Sequence, residues 1–281
     1  MIDIGKIHAL EVLKHVDFGL YLDGGEAGEI LLPVRYVPED IEIGSFIQVF
    51  IYLDNEERLI ATTQTPLAQV GDFACLRVVD VNTIGAFLDW GLMKQLLVPY
   101  SEQKNKLKTG DTPIVYVYVD EKSNRIAASA KVEKFIDKEV MPVVEENEEV
   151  DLLIYKKTDL GYNAIINNKY IGLIYENEIF KPIHIGLRTK GYVKSIRPDY
   201  KIDLSLEKPG EKITIDSEKV IKMKLIDAGG FLPYTDKSDP DTIYSFFEMS
   251  KKSFKKAIGG LYKKQEIAIE KNGIRLIQEN K

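Results

Sequence analysis

Aromatic rings spaced against a distant cation are the first chemistry this chain offers. Phe18 and Tyr21 flank Gly19, three residues apart, and Arg58 closes the same segment. Outward rings give unpaired bases a flat surface to stack on, worth about 1–3 kcal/mol per base, and an arginine beside them can meet a phosphate. A second cationic set, Lys251, Lys252, Lys255, Lys256, Lys263 and Lys264, crowds one short stretch near the C-terminus. Catalytic machinery is not assembled. His8, His15 and His184 are scattered with no second ligand at metal spacing. No glycine loop followed by Lys and Ser/Thr is present, and Cys75 lies in the apolar run Phe73-Ala74-Cys75-Leu76 as a small core residue. Asp236, Asp239 and Asp241 read as helix capping rather than a cation site. The expectation is a binding protein without catalysis, cofactor or metal.

The elements that position these residues repeat. Asp17-Phe18-Gly19-Leu20-Tyr21-Leu22-Asp23 resembles Thr83-Ile84-Gly85-Ala86-Phe87-Leu88-Asp89, and both resemble Asp159-Leu160-Gly161-Tyr162-Asn163-Ala164-Ile165. Leu31-Leu32-Pro33 aligns with Leu97-Val98-Pro99 and Leu173-Ile174-Tyr175. The glycine register is fixed: Gly19 to Gly85 and Gly44 to Gly110 both span 66 residues, while Gly85 to Gly161 and Gly110 to Gly186 both span 76. Runs such as Phe46-Ile47-Gln48-Val49-Phe50-Ile51-Tyr52 are β-branched and aromatic between turn residues, as strands are. Five short strands in about 65 residues suit a small closed barrel of the oligonucleotide-binding type, which leaves no exposed edge. Phe18 and Tyr21 would face opposite ways in a regular strand, so a bulge at Gly19 is expected to bring both rings to one face while Leu20 and Leu22 fill the core. Trp90, the single tryptophan, is read as a packed barrel-rim residue, with a stacking platform as the alternative.

After Pro209-Gly210 the period changes from two to 3.6. Ser217 opens a helix with the stripe Ile221, Leu225 and Ala228; Ser238-Asp239-Pro240-Asp241 opens a second carrying Ile243, Phe246 and Phe247. A third follows Met249-Ser250 with Phe254, Ile258 and Leu261 as its buried stripe and the six lysines around it. Ile267 to Ile277, turning at Asn272-Gly273, reads as a hairpin. Three helices and a hairpin describe a winged helix whose basic third helix lies where a recognition helix would. The expected division is 1–64, 65–134, 135–210 and 211–281: two barrels, a linker (131–149) with a third, divergent barrel, and the winged helix.

Length and charge agree with this division. The 281 residues carry 44% hydrophobic and 29% charged side chains and a net charge of -6. Residues 211–281 hold 14 Lys and Arg against 11 Asp and Glu, net +3, leaving the remainder at net -9. One cysteine rules out an internal disulfide and points to a reducing compartment. The first residues lack a signal-peptide pattern, and no apolar run approaches the roughly 20 residues a membrane helix needs. A cytoplasmic location with no membrane partner is expected.

The pattern Phe-Gly-x-aromatic, Leu-Val-x, glycine turn, Arg-Ile-x-x-Ser resembles the RNA-binding domain of ribosomal protein S-one. That resemblance implies an RNA surface at Phe18, Tyr21, Asp54 and Arg58 in unit one, with Pro33 in place of the family's histidine. In unit two it implies Phe87, Asp120 and Arg125, with Ile84 and Pro99 as departures. In unit three only Tyr175 and Lys201 remain, Leu160 and Asn163 replacing both rings. Three such barrels ahead of a winged helix, with the stretches Gly230-Phe231-Leu232-Pro233-Tyr234-Thr235-Asp236 and Met249-Ser250-Lys251-Lys252-Ser253-Phe254, resemble the conserved virulence factor B family of bacterial RNA-binding regulators. The implied partner is single-stranded RNA. A duplex-binding regulator acting through the winged helix, and a scaffold on ribosomes or RNA-processing proteins, are the alternative expectations.

Overall fold

The computed structural model describes residues 2–136, 141–179, 182–208, 217–247 and 249–277. The expected change of period at Pro209-Gly210, and residues 137–140 of the expected linker, lie outside the described residues. Two compact units separate, Met1–Glu176 with Ile183–Leu204, and Asn177–Pro182 with Ser205–Lys281.

The first unit is built from three barrels. In the first, β1 (Ile7–Val16), β2 (Gly19–Asp23), β3 (Glu29–Pro33), β4 (Phe46–Leu53) and β5 (Leu59–Thr62) close in the order β1-β2-β3-β5-β4. Alternation fixes the faces: Leu20, Leu22, Ile30, Leu32, Ile47, Val49 and Ile51 point inward and are buried, while their neighbours face out. The second barrel comprises β6 (Phe73–Cys75), β7 (Arg77–Val81), β8 (Gly85–Asp89), β9 (Leu96–Pro99), β10 (Ile114–Val119) and β11 (Ile126–Ser129), ordered β6-β10-β11-β9-β8-β7. Only Leu76 separates β6 from β7, so the sheet begins and ends on one interrupted strand. The third closes β12 (Glu149–Thr158), β13 (Gly161–Ile166), β14 (Tyr170–Tyr175), β15 (Arg188–Ile196) and β16 (Ile202–Ser205) in the same circular order as the first.

The repeated motif glycine has a steric cause. A Cβ on Gly19 would lie 2.1 Å from the Leu32 carbonyl oxygen, on Gly85 2.2 Å from that of Val98, and on Gly161 2.0 Å from that of Ile174. Each barrel brings its second strand against its third too closely for any side chain. Volume is conserved inside: Ile30 with Ala61 and Leu96 with Ala128 become Gly172 with Leu204 in the third barrel, where Leu204 and Ile166 fill the space a Gly172 side chain would take.

Apolar seams join the barrels. Phe50, on the outer face of β4, packs edge-on against Trp90 with ring centroids 5.6 Å apart. Trp90 is 3% exposed and its indole N–H donates to the Lys94 carbonyl at 2.6 Å. It is therefore the packed residue of the first reading. Phe73, Ile114, Val132 and Ile136 meet Leu153, Tyr155 and Ile165 at the second seam.

The second unit holds α1 (Ser217–Asp227), β17 (Phe231–Leu232), α2 (Pro240–Phe247), α3 (Lys251–Lys263), β18 (Ile267–Glu270) and β19 (Gly273–Leu276). Ile221, Leu225, Ile243, Phe247, Phe254, Ile258 and Leu261 form its core with Ile267 and Ile274. One expectation is corrected and one is extended. Ala228 is exposed, because the chain turns at Gly229-Gly230 before the stripe completes another turn. The hairpin gains a third strand, β17, pairing Leu232 with Ile274, and the sheet runs β17-β19-β18. Ser250 caps α3 by accepting from Ser253 N–H at 3.1 Å, and Asp239 caps α2 by accepting from Asp241 N–H at 3.0 Å. Among the described residues no helix is long and apolar enough to cross a membrane. The architecture is mainly β, three barrels of the oligonucleotide-binding type followed by an α+β winged helix.

Candidate nucleic-acid interface

In barrel one the two rings share the outer face. Phe18 is 54% exposed, Tyr21 is half-buried, and their rings meet edge to face at 6.2 Å. The bulge that was expected at Gly19 lies instead across the ladder. Residue Leu13 is left unpaired between Val12, opposite Leu22, and Lys14, opposite Tyr21. Strand β2 runs regularly from Gly19, and Phe18 reaches the face from the turn before it. The same bulge recurs at Val79 and Tyr155.

The bulge delivers a cation that sequence spacing did not reveal. Lys14 Nζ stands 4.8 Å from the Tyr21 ring centroid and pairs with Glu29 at 2.7 Å. Arg58 is held by Asp54 through two bonds of 2.9 and 2.8 Å, and by Glu56 at 3.0 Å, with its side chain 67% exposed. Partial burial opposes ionisation of Asp54, but bonds from the Arg58 backbone and guanidinium outweigh it and hold the carboxyl below its usual range. Acid and arginine thus act together: Asp54 aims the guanidinium and Glu56 meets its remaining nitrogen, while the side chain stays largely in solvent.

Barrel two gathers its residues into a cleft of about 580 Å³, where Phe87, Asp120 and Arg125 meet Tyr118, Lys94 and, from barrel one, Tyr52. Asp120 does not pair with Arg125 here. It accepts from the Ser123 hydroxyl at 2.7 Å and N–H at 3.0 Å, which lowers its pKa. Arg125 reaches across to Glu57 of barrel one at 3.0 Å. Lys94 donates to the Leu53 carbonyl at 2.9 Å, and burial lowers its pKa, with Arg125 adding to the effect. Tyr52 and Tyr118 each stand eight residues after a register glycine, Gly44 and Gly110, a signal that could have found them. Nothing local marked Lys94 or Glu57.

Barrel three exchanges its charges. Arg197 occupies the place of Asp54 and Asp120, its N–H donating to the Lys201 carbonyl as theirs do to Arg58 and Arg125. Its guanidinium binds Asp203 at 3.0 and 2.8 Å and the Tyr175 hydroxyl. Tyr175 is thereby committed to an internal bond, and Lys201 pairs with Asp199 at 2.6 Å. Leu160 is exposed and Asn163 stands where Tyr21 and Phe87 do.

On α3, Lys252, Lys256 and Lys263 fall on one solvent face in line with Gly259, flanked by Lys255 and Tyr262. Lys255 lies 3.6 Å from Asp236, and Lys264 is bridged to Glu218. Lys251 is half-buried at the first turn. Among the described residues no group of three or more His, Cys, Asp and Glu could hold a metal ion.

Comparison with known proteins gives matching results. The S1 domain family model matches residues 4–64 and 70–131, and the CvfB-like winged helix domain model matches 219–276. The chain is 31% identical to the Bacillus subtilis protein YitL over 96% of its length and 92% of that protein. It is 29% identical to Conserved virulence factor B of Staphylococcus epidermidis, over 98% of this chain and 95% of the relative. A solved multidomain protein with nucleic acid binding domains from Streptococcus pneumoniae is 24% identical, covering 98% of both chains, with a TM-score of 0.43. Both matched models describe nucleic-acid-binding domain types.

Proposed function

The chain belongs to the conserved virulence factor B family, and from that premise we propose that it binds single-stranded RNA and acts on gene expression after transcription. Binding rather than catalysis is its activity, and its place is the cytoplasm. Barrels one and two supply the stacking faces, and the lysines of α3 add affinity through phosphates.

The observation that carries this reading is the outward Phe18–Tyr21 pair, with Lys14 over the Tyr21 ring and Arg58 within electrostatic reach of its hydroxyl. Ring faces can receive a base only where it is unstacked, which a duplex forbids and a single strand permits. The two cations meet the phosphates that connect successive bases. The winged helix favours a second reading, duplex DNA as the target, on the strength of the lysine line along α3.

Fluorescence anisotropy with a labelled single-stranded RNA tests the first reading. Tyr21→Ala combined with Phe87→Ala removes one stacking platform from each barrel, about 1–3 kcal/mol apiece, so affinity should fall at least thirtyfold at constant salt. Unchanged affinity refutes it. Duplex DNA competitor should displace the RNA poorly. Strong duplex preference that is lost on Lys255→Glu with Lys256→Glu would establish the second reading instead.

A further inference from the structure

Each barrel carries a second outer face, made by its first strand around the bulge, the end of its second strand and the glycine turn before its fourth. In barrel three that face is covered by barrel two. Leu153, Tyr155 and Ile165 pack against Phe73 and Ile114, and Arg188 donates to the Phe73 carbonyl. A Cβ on Gly186 would lie 2.7 Å from Cys75 Sγ. Strand register supplies the equivalents in the other barrels. Leu153 corresponds to Glu11 and Arg77, Tyr155 to Leu13 and Val79, and Ile165 to Asp23 and Asp89. Arg188, two residues after Gly186, corresponds to Phe46 and Thr112. In barrels one and two the face is open: a Cβ on Gly44 or Gly110 would meet nothing within 4 Å.

Barrel two shows what the repeat places on this face when nothing covers it. Arg77, Asp89, Thr109 and Thr112 are polar and exposed, with Val79 the one apolar side chain among them. Barrel one departs from that pattern. Ile43 stands in place of Thr109 with 61% of its surface exposed, and Phe46 in place of Thr112 with 69%. Leu13, 37% exposed, joins them, because Val12 N–H donates to the Ser45 carbonyl and Gly44 N–H to that of Val12. Three large apolar groups on one uncovered face mark a contact surface. Glu11, paired across the ladder with Phe46, stands with Asp23 and Glu42 around them. Among the described residues none of these three carboxylates is bridged to a cation.

We propose that this face of barrel one docks a basic protein segment, one presenting a large apolar side chain between lysines or arginines. The apolar centre asks for burial, and the three carboxylates ask for cations. The same carboxylates repel phosphates, which excludes RNA and an anionic membrane surface as occupants. Two copies meeting through this face would set carboxylate against carboxylate across the two-fold axis. The surface of barrel two that receives the equivalent face of barrel three is already filled within each chain. The occupant is therefore a different protein. The site shares no residue with the ring-and-cation faces, so this reading and the RNA reading can fail separately.

The test is an anisotropy titration of the full chain with a short synthetic peptide in which phenylalanine alternates with lysine, against a control peptide carrying glutamate for lysine. The informative variant is Ile43→Thr with Phe46→Thr, which gives barrel one the residues of barrel two and, both side chains being exposed, leaves the core intact. The lysine peptide should bind the native chain and the control should not. The variant should weaken the lysine peptide at least fivefold and hold single-stranded RNA affinity within twofold. No binding of the lysine peptide, or equal binding to the variant, overturns the proposal. So does a parallel loss of RNA affinity, which would make the face part of the RNA path. Sedimentation velocity supplies the remaining check: self-association of the native chain that the variant abolishes would make the occupant a second copy and overturn the proposal as well.

Discussion

Glu57→Gln should tighten RNA binding, because Glu57 occupies the partner that a phosphate needs. Its carboxylate lies 3.0 Å from the Arg125 guanidinium, with the two side chains 64% and 49% exposed. An ion pair this open to water contributes about 0–1 kcal/mol, so the fold should tolerate its loss. Binding feels two effects. A phosphate docking on Arg125 must first break the pair. It must then sit roughly 6 Å from a like charge, costing about 0.7–1.4 kcal/mol at an effective dielectric of roughly 40–80. Together they amount to about 1–2 kcal/mol, a gain of roughly 5- to 30-fold in affinity at low salt. The salt dependence should steepen by about 0.7 in the logarithmic slope, since one more cation exchanges its counterion for RNA. Anisotropy titrations at two ionic strengths measure both. In an Arg125→Gln background the effect should vanish, as expected for two residues acting through one contact. An affinity within twofold of the native chain at low salt would refute the placement of a phosphate at Arg125.

Three further outcomes follow from the packing. Trp90→Ala should cost about 3–5 kcal/mol by opening the seam against Phe50, read by urea unfolding followed with circular dichroism; a loss under 1 kcal/mol contradicts the seam. Gly259→Ala should stabilise the winged helix by about 0.5–1 kcal/mol, since a Cβ there meets open space. Gly260→Ala should gain less, its Cβ falling 2.0 Å from Glu218 Oε1 and displacing the bridge to Lys264; equal gains would disprove that close approach of α1 and α3. Burial pushes the Tyr155 hydroxyl up to about 12, from 10.0 in the unfolded chain, so the unfolded state releases its proton first. The Tyr155 contribution is thus complete below pH 10 and lost between pH 10 and 12, and denaturation midpoints of Tyr155→Phe should fall less over that window than those of the native chain.

Much of the fold was legible because its constraints are local or strictly periodic. Glycines at fixed intervals marked the repeat, and the alternation of faces assigned Leu20 and Leu22 to the core and Tyr21 to the outer face. The 3.6 period located Phe254, Ile258 and Leu261 under a lysine-bearing surface. The bulge was misplaced because Gly19 attracted the reading, whereas the unpaired residues, Leu13, Val79 and Tyr155, carry no backbone signature of their own.

Sequence alone therefore determined the number of barrels, the inward Leu20 and Leu22 of the first, and the ring positions of the first two. Tertiary structure decided what those rings stand beside: Lys14 over Tyr21, Glu57 against Arg125, and Asp203 holding Arg197 where an acid stands in the other barrels. The reason is physical. A period of two states which face a side chain takes, but its neighbours on that face come from strand register and from seams between barrels, set by hydrogen bonds and apolar contacts among residues far apart in the chain.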